Sequence, residues 1–291
     1  MNEDDLPVDG DATSDEFLDR ARLKGDFESD QAFAEVLQDW PKTEFATTNT
    51  PNEIVKENLK VINDMMSLVK SIRVNEDIPS VTWPLAEKYL SRCAQLPAWA
   101  DLAKIKRAEQ LFQDSGVLSC VLFFCSSLPE VYVIPDVSTV LHATGNLERI
   151  TNQRIRSTAV MILSVMMPGG LNSRQGSGRP QVLRARYIHS VIRNLILRAN
   201  PFELLKRSKD RLNIPPIATI LTSSPPRNMF EMTLTHGWDP VMSGIPINQE
   251  ELGYTLLTFG YVYLRSLRRL GLAFSPADEE AYLHCWMSFV L

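Results

Sequence analysis

Along residues 147–167, LERITNQRIRSTAVMILSVMM, apolar positions recur every three or four residues until Pro168-Gly169-Gly170 interrupts them. That period is the signature of a helix with one buried face, and the Pro-Gly pair is its stop. The same rhythm runs through 51–73, where Ile54, Leu59, Ile62, Met65, Met66 and Val69 fall at helical spacing. It predicts further helices at about 84–94, 102–114, 180–198 and 201–212. The apolar run 116–127 has the length of a buried helix and is expected to end before Pro129. Near the C-terminus Asn248 is a cap, with Glu251 three residues on, and Leu252, Leu256, Phe259, Tyr263, Leu267 and Leu270 form one stripe closed by Gly271. Ser275-Pro276 opens a last helix, and Thr13 to Glu16 reads as a capping box for a first one.

Two segments, SCVLFFC and EVYVI, have strand-like composition. No strand–helix alternation surrounds them, and no glycine fingerprint or internal repeat is present. The pattern predicts one all-α domain of about ten helices. Residues 1–50 read as an acidic N-terminal extension, disordered over 1–12 and carrying short helices, and 51–291 as the main helical domain. The final AYLHCWMSFVL reads as a helix cut in mid-course, which suggests a truncated C-terminus.

Composition narrows the function classes. Of 291 residues, 44% are hydrophobic and 22% charged, an ordinary globular balance, and the net charge is −5. A chain of that sign is poorly suited to nucleic acid or an anionic membrane, though a local basic pocket is compatible with it. The longest apolar run, VLSCVLFFC, is far short of the roughly 20 residues that cross a bilayer. The acidic start lacks the basic-then-apolar order of a signal peptide. Cys93, Cys120, Cys125 and Cys285 form no metal-type pair. They read as free thiols of a reducing compartment, so a soluble cytoplasmic protein is expected.

The segment RARYIHSVIR, 184–193, changes the picture. On a helix Arg186 lies three residues before His189 and Arg193 four after it, so one side presents a column of Arg, His and Arg among Val182, Ile188, Val191, Ile192, Leu195 and Ile196. Two buried cations side by side require an anion opposite. A haem would supply one, since its iron takes a neutral imidazole and its propionates take cations. Local Asp or Glu partners, with a hydrogen-bonded core histidine, would also satisfy the column. On the preceding helix Arg154 and Thr158 share a face with Ile155, Ile162 and Val165. That apolar wall with a cation and a hydroxyl suits the oxygen side of such a pocket, or an ordinary core helix with an ion-paired Arg and a back-bonded Thr.

Other candidates carry less. His142, His236 and His284 have no carboxylate or cysteine at zinc spacing, and a non-haem iron site needs two histidines and a carboxylate facing one point. Ser126-Ser127 and Ser223-Ser224 lack a nucleophile elbow. GGLNSRQGSG follows a helix instead of a strand, so it is no phosphate loop.

Six segments together, LPAWAD (96–101), GVLSCVLFFCSSLPEVYVIPD (116–136), RIRSTAVMILSVMMPGGL (154–171), RARYIHSVIRNLILR (184–198), GIPINQEELGYTLLTFGYVYLRSLRRLG (244–271) and DEEAYLHCW (278–286), resemble the latex-clearing rubber oxygenase and mpaB-type oxygenase family. The resemblance covers roughly 85–291. It implies a globin-like helical core holding haem b, and oxidation by dioxygen of an apolar, isoprenoid-like substrate. It implies that His189 is the iron ligand, flanked by Arg186 and Arg193 as cofactor-binding residues. It places Arg154 and Thr158 on the catalytic side, with Ser157 where rubber oxygenase has a lysine. The stretch 199–237 is longer than in compact relatives and is expected to form a lid or substrate entrance. The alternative expectation is an inactive helical relative that binds a partner through an apolar groove near 272–291.

Overall fold

The computed structural model describes residues 14–39, 96–134, 140, 151–173, 176–199, 238 and 240–288. Among these residues every regular element is helical. The helices expected at 51–73, 84–94 and 201–212 lie outside them.

Helix α1 (Asp15–Arg22) begins at Ser14, whose hydroxyl accepts from the Phe17 amide. The cap is one residue further along than the Thr13 of the sequence pattern. Helix α2 spans Phe27–Asp39 and α3 spans Leu102–Ser115. Asp101 caps α3 by accepting from Ala103 and Lys104, and Gly116, at φ +52°, ends it.

The run expected to stop before Pro129 continues through it. Helix α4 (Val117–Leu122) widens into a π-helical turn over Phe123–Ser127 and resumes as α5 (Leu128–Val133). Pro129 stands in the first turn of α5, where a missing N–H costs nothing. SCVLFFC and EVYV are therefore helical, not strands.

Helices α6 (Thr151–Met166) and α7 (Gly178–Ala199) follow, then the short α8 (Pro240–Ser243). Asn248 caps α9 (Gln249–Leu257) by accepting from Glu251 N at 3.0 Å, as its sequence pattern requires. A second π-helical turn, Thr258–Val262, separates α9 from α10 (Tyr263–Arg269), and Gly271 at φ +73° closes the unit. Ser275 caps α11 (Pro276–Met287). That helix closes at Met287 with Ser288 as its C-cap.

The two π-helical turns pack against each other, and the core is built around them. A π turn takes in one extra residue and so re-aims the side chains beyond it. Here it lets Phe123 stack on Tyr263 at 5.1 Å between centroids, Phe259 on Trp286 at 5.5 Å, and Tyr263 on Tyr282 at 4.8 Å. Ile105 and Phe112 of α3, Val165 and Met166 of α6, and Val182 of α7 belong to the same buried cluster. Each such side chain contributes roughly 1.5–3 kcal/mol by leaving water.

The hinge between α6 and α7 depends on glycine. A Cβ on Gly178 would lie 2.6 Å from the Val165 Cα, closer than side-chain carbons approach, so only glycine lets α7 start against the end of α6. Glu109 of α3 pins the same turn by accepting from Gly169 N at 3.0 Å. Its burial pushes the carboxyl pKa up, against the lowering effect of the backbone amides of Gly169, Gly170 and Leu171.

Candidate functional site on helix α7

Helix α7 carries two adjacent rows of side chains, each following the 3-4-3-4 spacing of one helix face. The first row is Val182, Ala185, His189, Ile192 and Ile196. Its ends are closed, with Val182 at 5%, Ile192 at 4% and Ile196 at 0% exposure. Its middle is not, because Ala185 and His189 are only half-buried. Helical side chains lean toward the N-terminus, so the imidazole of His189 lies over Ala185. The small alanine and the partly accessible ring thus lie together in the middle of an otherwise buried apolar row.

The second row is Leu183, Arg186, Ser190, Arg193 and Leu197. All but Leu197 are buried. The anion that its two cations require comes from the chain itself. Arg186 donates to both carboxylate oxygens of Asp26, Nε to Oδ2 at 2.6 Å and Nη2 to Oδ1 at 2.8 Å, and reaches Glu28 at 3.4 Å. Ser190 Oγ donates to Asp30 Oδ1 at 2.6 Å, and Arg193 Nη1 donates to the same oxygen. Burial raises the Asp26 pKa, but the hydrogen bonds and charge of Arg186, with the Ser29 amide, outweigh it and hold the carboxyl below its ordinary range. For Asp30 burial wins over Arg193 and Ser190, and its pKa is raised.

Arg193 also binds a second segment. Its Nε donates to Pro246 O at 2.9 Å and its Nη2 to Ile247 O at 2.6 Å. Ile247 has φ +55°, a left-handed conformation that strains a β-branched residue by about 1–3 kcal/mol. The guanidinium holds the carbonyl of that strained residue, and the next residue is the cap of α9.

Of the residues expected to form the oxygen side, Thr158 lies half-buried on α6 in the row Ile155, Thr158, Ile162, Val165, whose far end is fully buried. Arg154 is in the same helix, and its side chain lies outside the described residues. Ser157 is exposed. His142, His236, Ser223-Ser224 and the stretch 200–236 lie outside the described residues. His284 is a structural residue: its Nε2 accepts from Asp101 N at 2.8 Å, and its ring meets Trp99 edge-on. Among the described residues no group of three His, Cys, Asp or Glu side chains converges as a metal site. No described single helix is long and apolar enough to cross a membrane. Near 272–291, where an apolar groove is expected, Tyr282, Cys285 and Trp286 are buried in the core, while Leu272 and Met287 stay exposed.

Sequence reasoning did not single out Asp26, Glu28, Asp30, Ser190 or Ala185. The signal for the first three was present as acids at every second position in DFESD, just before an apolar helical stretch. Ala185 is found by asking which residue lies four before the histidine.

Comparison with known proteins yields one distant relationship. The chain is 23% identical over 204 residues to a rubber oxygenase of Streptomyces sp. (strain K30), an alignment that covers 68% of this chain and 40% of that protein. The chain thus spans less than half of the relative's length. No family profile matches the sequence, and no solved structure does.

Proposed function

We propose that the protein is a haem-b-dependent oxygenase acting on an apolar, isoprenoid-like substrate, with His189 as the iron ligand on a globin-like helical core. The observation that carries this reading is the half-buried imidazole at the centre of an otherwise closed apolar row, with alanine beneath it. Ring accessibility with apolar flanks is what a flat, mostly apolar macrocycle needs, and an imidazole is the side chain its iron takes. The distant relationship to a rubber oxygenase supports the same reaction class.

The residues fit the cofactor at its iron and not at its acidic edge. In this reading His189 would donate a ring nitrogen to the iron. Arg186 and Arg193, which the family resemblance assigns to the cofactor, already donate to Asp26, Asp30 and two backbone carbonyls. Bound haem would supply dioxygen activation, and the chain supplies position and dryness.

Thr158 fits the opposite side by helix arithmetic. Helices α6 and α7 meet where Gly178 touches Val165. Seven residues back along α6 from Val165 is Thr158, and seven forward along α7 from Gly178 is Ala185. Each step covers about 10 Å, so the two stand at one level. Were haem held at His189, the Thr158 hydroxyl would be a polar group on an otherwise apolar wall, and Arg154 lies one turn beyond it.

The test is spectroscopic. Purified protein supplied with haem should show a Soret band that His189→Ala abolishes and Thr158→Val shifts without abolishing. A protein that stays colourless with excess haem rejects the reading.

A further inference from the structure

We propose that Arg186 and Arg193 fasten a strap, residues 22–30, across the helix that carries His189, and that neither arginine contacts the carboxylates of a bound tetrapyrrole. The second half of that statement rests on the haem reading; the first does not.

The strap is held at each step along its length. Arg22 O accepts from Ile245 N at 2.9 Å, Lys24 O from Gln249 N at 2.9 Å, and Gly25 O from the Gln249 side chain at 2.8 Å. Asp26 takes the fork of Arg186 and also accepts from Ser29 N at 3.1 Å, which makes it the first anchor of α2. Asp30 takes Ser190 and Arg193. A Cβ at Gly25 would press on the Asp30 carboxylate and lie 3.0 Å from the Arg193 Cζ, so a larger residue there would displace that pair. Arg193 therefore joins three stretches distant in sequence: the strap, α7, and the strained turn before α9.

The geometry is that of a fastener and not of a ligand clamp. Both guanidiniums donate to protein carboxylates or carbonyls, and the Nε–Nη2 fork of Arg186 is used in both prongs on one carboxylate, the most directional pairing an arginine makes. The arginine row is also a different row from the one that His189 and Ala185 open. A ligand lying on the histidine row would have to unseat the strap to reach the guanidiniums.

The experiment uses the full chain with Arg186→Lys, Arg193→Lys and Asp30→Asn, and two probes, haem and its dimethyl ester, which lacks free carboxylates. The lysine variants keep the charge and lose the fork, and Asp30→Asn is the mildest change, so folded protein is obtained from at least one. In the haem-free protein the two lysine variants are expected to be cut by trypsin after Lys24 about tenfold faster than the parent, the fold-change of a local opening eased by about 1.4 kcal/mol, and Asp30→Asn little faster, since burial already disfavours that charge. Their affinities for haem and for the ester should change by the same factor. A lysine variant that loses haem tenfold, keeps the ester and remains protected at Lys24 overturns the proposal. If neither probe binds any protein, the haem reading fails and the trypsin arm decides alone: equal cleavage in parent and lysine variants refutes the strap.

Discussion

Neutralising Asp26 isolates what the buried pair contributes. The side chains of Asp26 and Arg186 are 6% and 10% exposed, and the carboxylate accepts two charged hydrogen bonds and one amide. Asp26→Asn leaves the guanidinium buried beside Glu28, itself 46% exposed and 3.4 Å away. Stranding a buried charge costs about 3–5 kcal/mol, and the remaining Glu28 contact puts the expectation at the lower end, about 3 kcal/mol. In a domain of this size that is a fall in Tm of roughly 6–12 °C. The double variant Asp26→Leu/Arg186→Met strands nothing. Its cost should shrink to about 1 kcal/mol, mostly the lost anchor at the start of α2. Urea denaturation of the parent, Asp26→Leu, Arg186→Met and the double variant gives the coupling directly, with Asp26→Asn measured beside them. A double variant as damaged as Asp26→Asn would show that the pair itself stabilises the fold and that stranded charge is not the source of the penalty.

Acid should loosen the strap through Asp26 and not through Asp30. A carboxyl held below its ordinary range in the fold contributes stability above that range and loses it as pH falls, whereas the raised Asp30 contributes least once it ionises. Tryptic cleavage after acid pre-incubation should therefore rise as pH falls below the ordinary carboxylate range, and Asp26→Asn should flatten that rise. Burial pushes the Cys285 thiol up to about 12, while Cys125 is exposed. Iodoacetamide at about pH 8 should label Cys125 in native protein and Cys285 only after denaturation; mass mapping that finds Cys285 labelled first contradicts the packing of α11.

Helix positions were legible because their causes are local. The caps Asn248 and Ser275, the stop at Gly271 and the extents of α6 and α7 follow from residues within a turn of each boundary. The π-helical turns were not legible, because FFCSS and TFGYV satisfy an α-helical pattern equally well. What selects the π turn is the stacking of Phe123, Tyr263, Phe259 and Trp286 across elements far apart in sequence. Likewise the proline rule places a helix end before Pro129. A helix starts there instead, because the π turn changes which residue occupies the first helical position.

The arginine column shows where such reading stops and why. Burial of two cations on one helix face requires anions by electrostatics alone, and that requirement was readable from R-x-x-H-x-x-x-R. The identity of the anion was not, because it is supplied from about 160 positions upstream, by acids spaced at two where α7 is spaced at three and four. One motif can therefore serve two purposes at once. Its arginines set the position of α7 against the strap and the turn at Ile247, and that fixed position is what leaves the His189 row partly open beside Ala185. On this view a change at Arg193 reaches the imidazole only by moving the helix beneath it, so its effect on any ligand at His189 should track its effect on strap protection, variant by variant.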